Sequence, residues 1–178
     1  MYHYNTIIMK IAKELAKEAK RKGICEPWYK ELKTLEDKRA MVAMYVKGID
    51  FCLSHDYPSN DYIRANFKGV MESFGVFLDD NINIVNFRRC IALGNTKGRV
   101  EIGSYGVCEI FAKHDSELAI IVKDNAFVEI DVFDNSVIHV HAQDRAKVHI
   151  NRYEGGKVTT DTIGEAVIKI VEKHKKTY

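Results

Sequence analysis

The chain has 178 residues, 46% of them hydrophobic and 29% charged, a composition that supports one domain or two small ones with a real buried core and argues against disorder. Its net charge of only +2 argues against a dedicated nucleic-acid binder, whose affinity rests on neutralising phosphates. Four cysteines (Cys25, Cys52, Cys90, Cys108) show no C-x-x-C spacing and no paired rhythm, which fits reduced thiols better than a disulfide scaffold or a zinc site.

The first segment carries charges inside its apolar stretch, so it reads as neither a signal peptide nor a membrane span, and the expected location is cytoplasmic. Tyr4, Ile8, Ile11, Ala12, Leu15 and Ala19 form the stripe of an amphipathic helix, and Gly23 is a natural stop. Residues 1–50 hold eleven Lys/Arg against seven Asp/Glu, a mildly basic solvated face. Pro27 suits the first turn of a short helix anchored by Trp28 and Leu32.

Thr34-Leu35-Glu36-Asp37 has capping-box spacing and predicts a helix running through Met41, Met44, Tyr45, Ile49 and Cys52. Pro58 ends that helix. Ser59 is placed to cap the next, whose apolar face is Ile63, Phe67, Val70, Met71 and Phe74 before Gly75. His55-Asp56 has the look of an oriented general base, but no nucleophile lies near it in sequence, and turn chemistry accounts for both residues. Asp79-Asp80-Asn81 likewise reads as a turn before a strand.

From Ile82 the pattern alternates, and from Gly106 it becomes periodic. A small residue recurs every ten positions: Gly106, Ser116, Ala126, Ser136, Ala146, Gly156 and Ala166. Two positions later come Cys108, Leu118, Val128, Ile138, Val148, Val158 and Ile168. Two later again come Ile110, Ile120, Ile130, Val140, Ile150, Thr160 and Ile170. Each unit is a polar turn such as Lys123-Asp124-Asn125 followed by an alternating strand. One such strand cannot bury its own face, but a stacked array can.

A constant corner residue favours in-register stacking, hence a β-solenoid, over a meander or barrel. The simplest coil is flattened and two-sided with about twenty residues per turn, although a three-sided coil also fits. The two-sided coil predicts that Phe133 stacks on Tyr153 one rung on, with Lys113 one rung before. It also sets Glu129 beside His149 and Asp131 beside Asn151.

The predicted fold class is therefore α+β: a helical N-terminal part (1–80) followed by a short β-solenoid, or β-helix, of ten-residue repeats (81–178). Units reading Asp-Asn-Ala/Ser-x-Val-x-Val/Ile, over about residues 97–172, resemble short-repeat β-solenoid domains. With its Trp-containing helical part, the whole chain is also similar to uncharacterised proteins of gut Bacteroidales and their phages or mobile elements. Those resemblances imply an architecture, and the second implies a protein that binds a host defence component.

Candidate chemistry is sparse. No catalytic residues and no cofactor are expected. His139 and His141 form an H-x-H pair able to contribute to a metal site, but a third ligand is not evident and no metal is expected. Gly98, Gly103 and Gly106 have turn spacing rather than that of a phosphate loop. A small enzyme or ligand-binding protein with its site at the helix–solenoid junction, using His55, Asp56 and His139 or His141, is the alternative reading.

The more informative anomaly is apolar residues at outward strand positions: Val107, Phe111, Ile121, Phe127, Val137, Val167 and Val171. Contiguous exposed apolar surface implies something that covers it. The expected function is a non-catalytic interaction or self-assembly module whose partner is a protein or a second copy, with neither membrane nor dedicated nucleic-acid binding.

Overall fold

The computed structural model describes residues 2–178, and of Tyr2–Asn5 the backbone alone. The chain divides into two compact units, Met1–Phe74 and Gly75–Tyr178. The division falls a few residues before the boundary expected from sequence, because a short strand at Val76–Leu78 already pairs within the second unit.

The first unit is helical. Its longest helix, α1 (Tyr2–Arg21), buries Ile8, Ile11, Ala12, Leu15 and Ala19 of the predicted stripe, and Ala16 as well. The side chain of Tyr4 lies outside the described part. Next comes α2 (Glu26–Lys33), with Pro in its first turn, Leu32 buried and Trp28 half-buried.

The expected helix from Thr34 differs in two ways. Thr34 ends α2, its hydroxyl donating to the Glu31 carbonyl at 2.9 Å, whereas Asp37 caps α3 (Lys38–Lys47) by accepting from the Ala40 N–H at 3.1 Å. A carboxylate at the cap also suits the positive end of the helix dipole. The predicted run then breaks at Gly48 into a separate α4 (Ile49–Ser54). A Cβ on Gly48 would lie 2.6 Å from the Trp28 ring, so only glycine lets the indole approach.

Ser59 caps α5 (Asn60–Asn66), accepting from the Tyr62 N–H at 3.3 Å, and a 3-10 turn (Met71–Phe74) closes the unit. The final predicted helix is thus shorter than its apolar spacing suggested. Among the described residues, no helix is long and apolar enough to cross a membrane.

The second unit is a parallel β-solenoid of about five turns with two sides. One sheet stacks the odd strands: β1 (Val76–Leu78), β3 (Arg89–Leu93), β5 (Val107–Ala112), β7 (Phe127–Val132), β9 (Lys147–Arg152) and β11 (Val167–Glu172). The other stacks the even strands: β2 (Asn81–Val85), β4 (Lys97–Ile102), β6 (Glu117–Val122), β8 (Val137–Ala142) and β10 (Lys157–Thr162). From β3 and β4 onward every partner lies twenty residues away, as Val128↔Val148 and Leu118↔Ile138 illustrate. The first coils are tighter, with Val76↔Ile91 and Asn81↔Lys97.

Inward side chains of both sheets meet in one continuous core, in which Ile110, Leu118, Ile120, Val128, Ile130, Ile138 and Ile150 are all at most 1% exposed. The corners explain the Asp-Asn signature. Asp124, Asp134 and Asp144 each sit at positive φ, between 56° and 61°, a conformation that Asp tolerates better than most residues.

Their carboxylates reach along the solenoid rather than locally. Asp124 accepts from the Ser104 N–H at 2.6 Å, Asp134 from His114 N–H at 3.1 Å and Asp144 from Asp124 N–H at 3.0 Å. His114 accepts from Gly94 N–H in the same way at 3.1 Å. Each corner thereby satisfies an N–H of the corner one coil earlier. The series stops in the last coil, where Gly164 follows Asp144 in the column and offers no side chain.

The small residue after the corner is buried, as at Ser116, Ala126, Ser136 and Ala146, and its N–H closes the turn, for instance Ala126 to the Lys123 carbonyl at 3.2 Å.

Candidate interaction surface

Parallel stacking at twenty-residue spacing turns the outward residues into columns with rungs ~4.8 Å apart. On the odd sheet the first column is Val107, Phe127, Lys147 and Val167. Val107 is 60% exposed, Phe127 41% and Val167 57%. Lys147 stands between the last two, and its aliphatic stem leaves the column apolar along most of its height. Next to it run Arg89, Glu109, Glu129, His149 and Lys169. Arg89 Nε donates to Glu109 at 2.9 Å, an ion pair open to solvent.

The third column, Phe111, Asp131, Asn151 and Val171, is different in kind. Phe111 is only 8% exposed and Val171 half-buried, so neither presents the open apolar surface expected of them. Asp131 and Asn151 are each 7% exposed. The Asn151 amide donates to Asp131 at 2.7 Å, and the Tyr178 hydroxyl donates to the other Asp131 oxygen at 2.5 Å. Burial pushes the Asp131 carboxyl above its ordinary range, against the opposing effect of those two donors. Asn151 Oδ1 and His149 Nε2 are buried with no hydrogen-bond partner among the described residues.

The corner aromatics behave as expected from a two-sided coil. Phe133 and Tyr153 stack with centroids 4.3 Å apart, and the Lys113 ammonium lies 5.8 Å from the Phe133 centroid. Lys113 is almost wholly buried and pairs with Asp134 at 2.8 Å. Tyr178 packs edge-on against both rings, a contact that no sequence pattern signalled.

On the even sheet, Ile121 and Val137 are half-buried. His139 faces Thr159 and His141 faces Asp161, one rung on in each case. The hydrogen bond to Asp161 holds the His141 imidazolium above its usual pKa. With Ala119 and Ile121 these residues line a shallow depression of about 300 Å³, formed because Ala119 is short between Arg99 and His139. Among the described residues, no group of three or more His, Cys, Asp or Glu side chains could hold a metal ion.

His55 and Asp56 lie at the end of α4. His55 Nδ1 is 2.9 Å from the Phe51 carbonyl and its ring lies against the Phe51 ring, while Asp56 takes the positive φ of a turn. Asp79 has positive φ as well and accepts from the Asn95 N–H, and Asp80 accepts from Leu78 N–H, so this pair shapes a corner. Cys52, Cys90 and Cys108 are buried, and burial pushes the Cys108 thiol up to about 12.

These features define a class by architecture: a helical unit followed by a two-sided parallel β-solenoid. Compared with family models, curated proteins and solved structures, the chain matches none.

Proposed function

We propose that the chain is a non-catalytic protein-interaction module that uses the outward face of its solenoid. The observation that supports this most is the exposed column of Val107, Phe127 and Val167, which stands in one line on a regular sheet. An aromatic ring between Val107 and the aliphatic stem of Lys147, on a flat, preorganised strand array, has the composition of a binding hot spot, with little entropy lost on docking. The buried thiols have raised pKa values, so they are poor nucleophiles. The occupant is a protein with a complementary apolar surface; by resemblance to mobile-element proteins, it would be a host defence component.

Phe127→Glu tests the reading, because this ring is exposed and its loss spares the core. Pull-down from a host lysate, run in parallel on both proteins, should show a captured protein that the variant loses while its circular dichroism is unchanged. A variant that keeps every association of the wild type would sink the proposal.

A further inference from the structure

The solenoid is open at its last coil. In earlier coils the inward residues are buried, down to Phe77, Ile82 and Ile84 in the first one at 7–8% exposure. In the last coil Ile170 is 42% exposed, Val158 and Ile168 are half-exposed, and Thr160 and Thr162 are exposed. Beside them stand the terminal strands of the two sheets, β10 on one and β11 on the other, each with an edge that no strand among the described residues pairs.

The N–H groups of Lys157 and Ile163 donate back to Ser136 and Ala142, and those of Val167 and Lys173 to Ala146 and Arg152, all at 2.9 Å. By strand alternation, the N–H and C=O groups of Val158, Thr160, Ile168 and Ile170 therefore point out of the open end. Such an edge templates further pairing unless it is covered.

We propose that a second copy of this chain covers it, end to end, in a closed two-fold dimer in which β11 of each copy pairs antiparallel with β10 of the other. The shape of the end selects this occupant. It presents two edges of opposite direction, ~10 Å apart, flanking an open core, and the same end turned over is the matching object.

Geometry also selects which strands pair. A coil climbs ~4.8 Å per turn, so β11 stands about half a rung beyond β10. Pairing β11 with β11 would leave the two β10 strands about one rung too far apart, whereas pairing β11 with β10 makes both seams equal. In that register Ile170 faces Val158 and Ile168 faces Thr160, so the aliphatic core continues across the seam. Outside, Val171 faces Lys157, Lys169 faces Thr159 and Val167 faces Asp161, with no like charges opposed. Pairing of β11 with itself would set Lys169 against Lys169 or Ile168 against Glu172.

The buried area is on the order of 500 Å² per copy, the low end for specific interfaces, so the dimer dissociates on dilution. This dimer uses the end of the solenoid and does not depend on the lateral column.

The test is sedimentation equilibrium on the whole chain over a wide concentration range. The expected result is an equilibrium between the 20.4 kDa chain and twice that mass. Thr160→Pro removes an edge N–H and fixes φ at an edge-strand position, and Ile170→Glu puts charge in the seam; both should be monomeric, while Phe127→Glu should still dimerise. Amide exchange at Thr160 and Ile170 of the wild type should slow about tenfold or more as concentration rises, a readout independent of how the variants fold. A wild type that stays at single-chain mass, assembles without a limit at two copies, or keeps these amides fast at high concentration overturns the proposal. So does dimerisation retained in both end variants.

Discussion

Asn151 donates its amide to Asp131 at 2.7 Å, twenty residues and one rung earlier, and both side chains are buried on the outward face of the odd sheet. Tyr178 closes the group with its hydroxyl on the second Asp131 oxygen. A carboxylate so placed is held by donors yet starved of solvent, and desolvation is the larger effect.

A carboxyl whose folded pKa is raised binds its proton more tightly in the folded state, so it costs stability progressively as pH rises through the unfolded and then the folded value. Asp131→Asn removes that cost. Its carbonyl can accept from Asn151 and its amide can donate to the Tyr178 hydroxyl oxygen. The variant is expected to melt at or above the wild-type temperature at pH 7 and to lose that advantage near pH 3. Thermal unfolding followed by circular dichroism at both pH values checks this.

The corner carboxylates should differ in worth. Asp124→Ala leaves the Ser104 N–H without its acceptor and puts Ala at positive φ, an expected loss of about 1–2 kcal/mol. Asp134→Ala does the same to His114 and also removes the ion-pair partner of buried Lys113, an expected loss of about 3 kcal/mol. Urea titrations of the two variants should rank them in that order.

The pKa of His141 is raised because its Nδ1–H donates a hydrogen bond to the Asp161 carboxylate. The stabilisation is present below the unfolded value of about 6.5 and fades as pH rises through the folded one. NMR titration of the imidazole should show that shift in the wild type and its disappearance in Asp161→Asn.

Ile130 sits in the middle coil, fully buried between the sheets. Ile130→Ala should cost about 2–5 kcal/mol, as for other large-to-small core changes. Phe127→Ala, three residues earlier on the same strand but facing out, should cost under about 1 kcal/mol. Equal losses at the two positions would contradict the assigned strand faces.

Much of the solenoid was legible because its repeat is set by a local requirement met at every corner. A ten-residue beat with a constant small residue leads directly to Phe133 on Tyr153 and Asp131 beside Asn151. The first coils were not legible: fifteen and sixteen residues separate Val76 from Ile91 and Asn81 from Lys97, so no period links them to the rest. Gly48 separates two helices and lies against Trp28, a residue twenty positions away, and local apolar spacing carries no trace of that contact. Tyr178 over Asp131 is likewise a long-range contact.

The outward surface was legible only in part. Period two assigns a face to Phe111 as it does to Phe127, but not whether something covers it. The Asp-Asn turn was recognised as turn chemistry, yet the reach of each carboxylate to the preceding coil emerges only from stacking.

The central claim, that the outward column of the odd sheet carries association, is tested most directly by mapping amide chemical shifts of the labelled protein as a captured partner is added. Signals from Val107, Phe127 and Val167 should shift or broaden together, while those of Ile121 and Val137 on the opposite sheet hold still. Perturbations confined to the helical unit, Met1–Phe74, would contradict it.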